Sequence, residues 1–177
     1  MKDHILIKLD STTELLQYFT GSVTTTQATK KYAATAIGSG LTAGEKVVFA
    51  GFSNADSNGT KTLATVAANE VTVEEAIGTD ESGVTATVNQ EWQGEWKEVD
   101  QFSHLLSTIN TSGNAYAYVD QSADGVNTDY TTTITVTAAT AKADSIEVLL
   151  PYARLRVRTN AADQTTMRAY LFGRRLT

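Results

Sequence analysis

The chain contains no cysteine and a single proline, Pro151, in 177 residues. Without thiols there can be no disulfide, no thiolate zinc site and no cysteine nucleophile, and the redox compartment is left open. Histidine is scarce as well: His4 and His104 stand far apart, each outside any motif. A lone histidine in such a setting reads as structural. No serine lies in a Gly-x-Ser-x-Gly elbow, and no Ser-His-Asp set has local support. Glu74 and Glu75 are adjacent, so in a strand they face opposite sides and cannot work as a paired acid and base. These gaps point to a non-enzymatic protein with no cofactor and no metal. Long apolar runs are missing too, so nothing approaches a membrane span and no membrane partner is expected. Met1-Lys2-Asp3 puts an acid where a signal peptide carries basic residues, which suggests a protein made in a cytoplasm.

What the chain does have is a lopsided charge layout. All its arginines fall late, at Arg154, Arg156, Arg158, Arg168, Arg174 and Arg175. With Asp163 as the one acid among residues 153–177, that stretch carries +5, and the total of −6 leaves −11 on residues 1–152. Such asymmetry can orient copies of a protein or dock it on a partner. Arg154, Arg156 and Arg158 alternate with Leu155 and Val157, so a strand puts the three guanidiniums on one face. That face is either a solvated sheet edge or an interface strand pairing with acidic neighbours, for which Arg is well suited. The other three arginines join the candidate interface set. The acidic balance argues against nucleic acid, and the arginine cluster lacks the interleaved aromatics and glycines of a single-strand platform.

The body of the chain reads as all β. Hydrophobic content of 41% with 19% charged residues describes a folded protein. Thr, Val and Ala dominate short alternating runs broken by Gly, Asn, Asp and Ser. Strands are predicted at 5–9, 31–37, 46–52, 60–67, 70–74, 84–89 and 95–99. Others follow at 104–110, 115–121, 131–138, 145–150, 153–159 and 165–172. Ser11 and Glu14 have capping-box spacing, so 11–16 reads as a helical turn or a loop. Asn58-Gly59 is a strong short-hairpin signal. Residues 30–89 carry small side chains and no tryptophan, whereas Trp92 and Trp96 open the next segment. The expected organisation is a small β domain, 30–89, inserted into a larger sandwich made of 1–29 with 90–177.

Two stretches resemble structural proteins of tailed bacteriophages. The first runs from Leu41-Thr42-Ala43-Gly44-Glu45-Lys46 through Asn58-Gly59-Thr60 to Val71-Thr72-Val73 and Gly83-Val84. It is similar to a small β module of phage virion proteins. The second links Trp96, Phe102-Ser103, Tyr116 to Gly125, Tyr152 to Asn160, and Gln164-Thr165. It is similar to jelly-roll-like domains of phage head and tail proteins, although Thr128 stands where that pattern often carries Trp. The resemblance implies an all-β fold: a jelly-roll-like antiparallel sandwich with a small inserted β-barrel or β-sandwich. It also implies a virion location, and a head decoration or cement protein that touches the major capsid protein or other virion proteins. Relatives at three-fold capsid positions imply a homotrimer. The alternative is a tail-associated or adhesin-like carbohydrate-binding module, for which Tyr116, Tyr118, Tyr130, Tyr152, Tyr170 and Phe172 could supply stacking surfaces.

One string invites a ligand. Asp120, Ser122 and Asp124, with Gly125 at the sixth position, match the opening of a calcium loop, but Thr131 stands where a bidentate Glu belongs. The competing reading is a hairpin turn whose Asp and Ser bond the local backbone.

Overall fold

The computed structural model describes residues 4–176. Its regular structure is β apart from two single 3-10 turns, Gln27–Thr29 and Ala55–Ser57. The strands are β1 (His4–Thr12), β2 (Tyr18–Thr26), β3 (Lys31–Ala33), β4 (Lys46–Ala50), β5 (Gly59–Ala67), β6 (Glu70–Val73) and β7 (Val84–Gln93). They continue with β8 (Lys97–Glu98), β9 (His104–Thr111), β10 (Ala115–Ser122), β11 (Tyr130–Val136), β12 (Lys142–Glu147), β13 (Tyr152–Thr159) and β14 (Met167–Leu176). The chain divides into two compact units: Leu16–Glu91 with Ala161–Asp163, and the remainder.

The smaller unit is a closed barrel. Its strands pair antiparallel in the order β7-β2-β3-β6-β5-β4, and β4 returns to β7 through Val47↔Gln90 and Phe49↔Val88. Closure removes every free edge, which suits short Thr- and Val-rich strands that would otherwise template aggregation. Alternate residues point inward, so Val23, Tyr32, Val47, Phe49, Leu63, Val71 and Val88 are buried. Tyr32 stacks on Phe49 with ring centroids 3.9 Å apart, and its hydroxyl donates to the Ser57 carbonyl at 2.9 Å.

Three local expectations change here. β2, which the sequence reading left unassigned within 1–29, pairs with β7 and β3, so the unit begins at Leu16 rather than near residue 30. Asn58-Gly59 does not form a two-residue hairpin, because only Gly59 has positive φ, 87°, while Asn58 sits at −97°. Instead the Asn58 side chain ties down the long β4–β5 loop, accepting from the Phe52 amide and donating to the Phe52 and Asn54 carbonyls. The helical turn considered at 11–16 is absent as well. Ser11 and Thr12 stay in β1, and the Thr12 hydroxyl, not Ser11, takes the Glu14 amide at 3.1 Å.

The larger unit is a two-sheet jelly roll. One sheet runs β1-β14-β9-β12 and the other contains β11-β10-β13. Beyond the end of β7 the Gly94 amide donates to the Leu155 carbonyl of β13 at 2.9 Å, giving the second sheet its fourth member. Counting this unit's long strands along the chain, the sheets order as first-eighth-third-sixth and second-seventh-fourth-fifth. That is the interlocked Greek-key order of a jelly roll. Leu105, Ile109, Ala117, Val119, Ile134, Leu155, Val157, Ala169 and Leu171 fill the core between the sheets. The buried Gln121 amide locks the approach to β13. Its oxygen accepts from the Leu149 and Leu150 amides and its nitrogen donates to the Glu147 carbonyl.

One core detail is unfavourable. β1 bulges between Lys8 and Asp10, and one Asp10 carboxylate oxygen ends buried without a hydrogen-bond partner. Burial pushes the Asp10 carboxyl above its ordinary value, against the pull of the Ser11 amide and Lys97. Gly94 packs so close to this oxygen that a Cβ there would overlap it.

Candidate interface faces of the jelly roll

The outer face of the second sheet is set by two alternating strands in register. Tyr116 lies opposite Arg158, Tyr118 opposite Arg156, and Asp120 opposite Arg154. The intervening Ala117, Val119, Leu155 and Val157 face the core, so period two alone puts the arginines and their partners on one surface. Asp120 is fully buried beneath them at 0% exposure. Its Oδ2 accepts from Arg154 Nε at 3.0 Å and Arg156 Nε at 2.6 Å. Its Oδ1 accepts from Arg156 Nη2 at 2.9 Å and from the Thr131 hydroxyl at 2.8 Å. The two guanidiniums close over the acid, with side-chain exposures of only 16% and 20%.

Aromatic rings complete the layer. Arg154 lies over Trp96 at 4.3 Å from the ring centre, and Arg156 over Tyr118 at 4.6 Å. Arg158 lies between Tyr116 and Tyr118, at 5.6 and 5.4 Å. Thr128 accepts from Arg154 Nη2 at 3.1 Å, and the Gln93 amide oxygen faces the same guanidinium. Burial by itself would push the Asp120 carboxyl up; the Arg156 and Arg154 guanidiniums and the Thr131 hydroxyl more than reverse this and hold it below its ordinary value. Asp120 is therefore the ionised keystone of a rigid surface. Two of the three arginines read as partners for another molecule's acids meet their acid within the chain.

The calcium-like string divides its oxygens between two tasks. Asp120 serves the arginines. Asp124 caps the β10–β11 turn, accepting from the Val126 and Asn127 amides at 2.8 Å each and from the Ser122 hydroxyl at 2.9 Å. Those donors, the Asn127 amide first, hold its carboxyl well below the usual range. The buried Ser122 hydroxyl also accepts from the Gly125 amide at 3.0 Å, and Gly125 takes positive φ, 72°. The oxygens are arranged as in a hairpin turn, and no group of three or more His, Asp or Glu able to hold a metal occurs among the described residues.

The remaining arginines lie on the first sheet. Along β14 the core takes Met167, Ala169 and Leu171, while Arg168, Tyr170, Phe172 and Arg174 face outward. Each meets a β9 neighbour: Asn110, Thr108, Leu106 and His104 respectively. β1 adds Leu6 beside Arg174 and Lys8 beside Phe172, and β12 adds Glu147 beside His104. Tyr170 and Phe172 stack with centroids 6.0 Å apart. The interleaving of aromatics with arginines that the sequence reading found missing is thus present on β14. Arg175 lies past this row, exposed, and donates to Gln101 Oε1 at 3.2 Å.

Sequence reasoning named all six arginines but missed Asp120 as the partner of two, along with Trp96 and Thr131. Alternation showed only that Tyr116, Tyr118 and Asp120 share one face of their own strand, not that this strand pairs with the arginines. No family model and no curated protein matches the chain. Among solved structures, a chain in the cryo-EM atomic structure of Broad Bean Stain Virus is similar at 12% identity, covering 90% of each chain with a TM-score of 0.27. That likeness is too loose to bear on function.

Proposed function

We propose that the chain is a non-enzymatic structural protein of a tailed-bacteriophage virion, a capsid decoration or cement protein that works as a homo-oligomer, with a trimer favoured. The observation that carries this reading is the Arg–Asp120–aromatic layer. Its reactive groups are consumed by one another, so it offers a firm patterned surface rather than a poised nucleophile or base. Arg, Tyr and Trp are also the residue types enriched where proteins meet. The resemblance of the Tyr116–Gly125 and Tyr152–Asn160 strings to phage jelly-roll domains supplies the virion context.

The test is localisation on the particle. Electron micrographs of virions carrying a labelled copy should show regular label on the head. Label confined to the tail tip, or absent from particles, would overturn the decoration role. Binding of a defined glycan by the isolated protein on a glycan array would move the reading to an adhesin-type module.

A further inference from the structure

We infer that the outer face of the β1-β14-β9-β12 sheet seats a second copy of this chain, through that copy's acidic barrel. This rests on the oligomeric role proposed above and names the surface that performs it. Of the six arginines in the candidate interface set, it singles out Arg168 on β14.

Three features of the face carry the inference. First, its charge is open. Arg168 is exposed and makes no ion pair among the described residues, and Lys8 lies on the same face. On the other sheet, by contrast, Asp120 already holds Arg154 and Arg156. Second, its centre is apolar. The Tyr170–Phe172 stack is only half-buried, and Leu6 beside it is 50% exposed, which is a poor arrangement for a surface meant to face water. Third, next to Tyr170 a shallow trough of about 240 Å³ opens over Thr108, Ile109, Ala141 and Ala143, with Arg168 at its rim. It has room for one side chain of a neighbour, as anchor residues at interfaces require.

The occupant follows from charge. The barrel unit carries nine acids against four lysines, a net of −5, and Asp56, Glu74 and Asp80 are exposed on it. A cationic face on one unit and an acidic surface on another, within one chain, favour head-to-tail contact between copies. A contact of that kind closes into a ring when its rotation allows. A polyanion such as single-stranded nucleic acid fits less well, because the chain's net charge of −6 repels it.

Sedimentation equilibrium of the full chain tests this. R168E/Y170S should weaken self-association by about tenfold or more, the loss of one hot-spot contact, while its far-UV spectrum and melting stay close to wild type. R168Q serves as a milder variant and should weaken association to a lesser degree. D56S/E74S/D80S should be similarly impaired, and mixing it with R168E/Y170S should restore a one-to-one dimer, since each partner keeps one intact surface. Wild-type assembly should also loosen as salt rises. If R168E/Y170S assembles like wild type, this surface assignment fails while the oligomeric role stands. A wild type that stays monomeric at high concentration overturns both. Binding of a (dT)20 oligonucleotide that R168E/Y170S abolishes would assign the face to nucleic acid and overturn the inference.

Discussion

On the face built by β10 and β13, three arginines and two tyrosines surround a buried carboxylate. On the face built by β14 and β9, Arg168, Tyr170, Phe172 and Arg174 lie opposite Asn110, Thr108, Leu106 and His104, with no acid beneath Arg168 among the described residues and Glu147 beside His104. The residue types are nearly the same and the outcomes differ because of Asp120. A buried acid among guanidiniums turns cations into internal structure: it is strongly coupled to them and costly to expose. Where no acid lies beneath, as at Arg168, the cation keeps its charge for something outside. An arginine-rich strand therefore says little until its cross-strand neighbour is known.

The largest way to break this contrast is to remove the keystone. Asp120→Ala leaves two half-buried guanidiniums without their acid and should cost about 3 kcal/mol, in the range for breaking a buried pair. For a chain of this size that lowers Tm by roughly 6–12 °C, readable by calorimetry. Replacing Arg154, Arg156 and Arg158 together with Ser should be damaging for the same reason, so that variant probes folding as well as docking.

Acid sharpens the same point. The folded-state value of Asp120 lies below its unfolded value of about 4. Its stabilisation is therefore present above about pH 4 and is lost as pH falls through the lower folded value. The stability gap between wild type and Asp120→Asn, followed by urea titration, should be constant from pH 7 to 5 and shrink below pH 4.

Asp10 should behave in the opposite sense. Its carboxyl is raised by burial, so its ionised form weakens the fold at neutral pH, and the penalty fades as pH falls through the raised value. Asp10→Asn keeps an oxygen for the Ser11 amide and should stabilise the protein by about 1 kcal/mol, a gain of roughly 2–4 °C in Tm at pH 7. No gain at pH 7 would mean that the unpartnered oxygen is solvated.

The smallest effects separate the free cations. Arg158→Ser removes its contacts with Tyr116 and Tyr118 and should cost about 0.5–1 kcal/mol. Arg168→Gln should change stability by less than about 0.5 kcal/mol, as expected of an exposed side chain. A loss above 2 kcal/mol at Arg168 would show that this face too is an internal structure.

The sequence made the all-β class legible because strand patterning is local: alternation and turn residues mark most strands, and thirteen-odd short runs leave little room for another class. The jelly-roll order came from resemblance, not from periodicity, because which strands pair is decided over long separations. β2 escaped notice since Tyr18–Thr26 is a threonine-rich run with few apolar residues. It is a strand because β7 and β3 flank it. The same limit governed the site. Arg154, Arg156 and Arg158 declared a common face by spacing, yet nothing local revealed that Asp120, 34 residues before Arg154, lies across from it. Asp120 instead read as the first position of a calcium-like loop, because a turn aspartate and a strand-end aspartate look alike in one dimension.

Asp120 and Arg156 should behave as one unit. A double-mutant cycle of Asp120→Asn and Arg156→Gln, with stability measured by urea unfolding at pH 7, tests that directly. Strong coupling, about 1.5 kcal/mol or more, is the result expected of a keystone under its clamp. A coupling within about 0.3 kcal/mol of zero would contradict it and return the β13 arginines to the solvent.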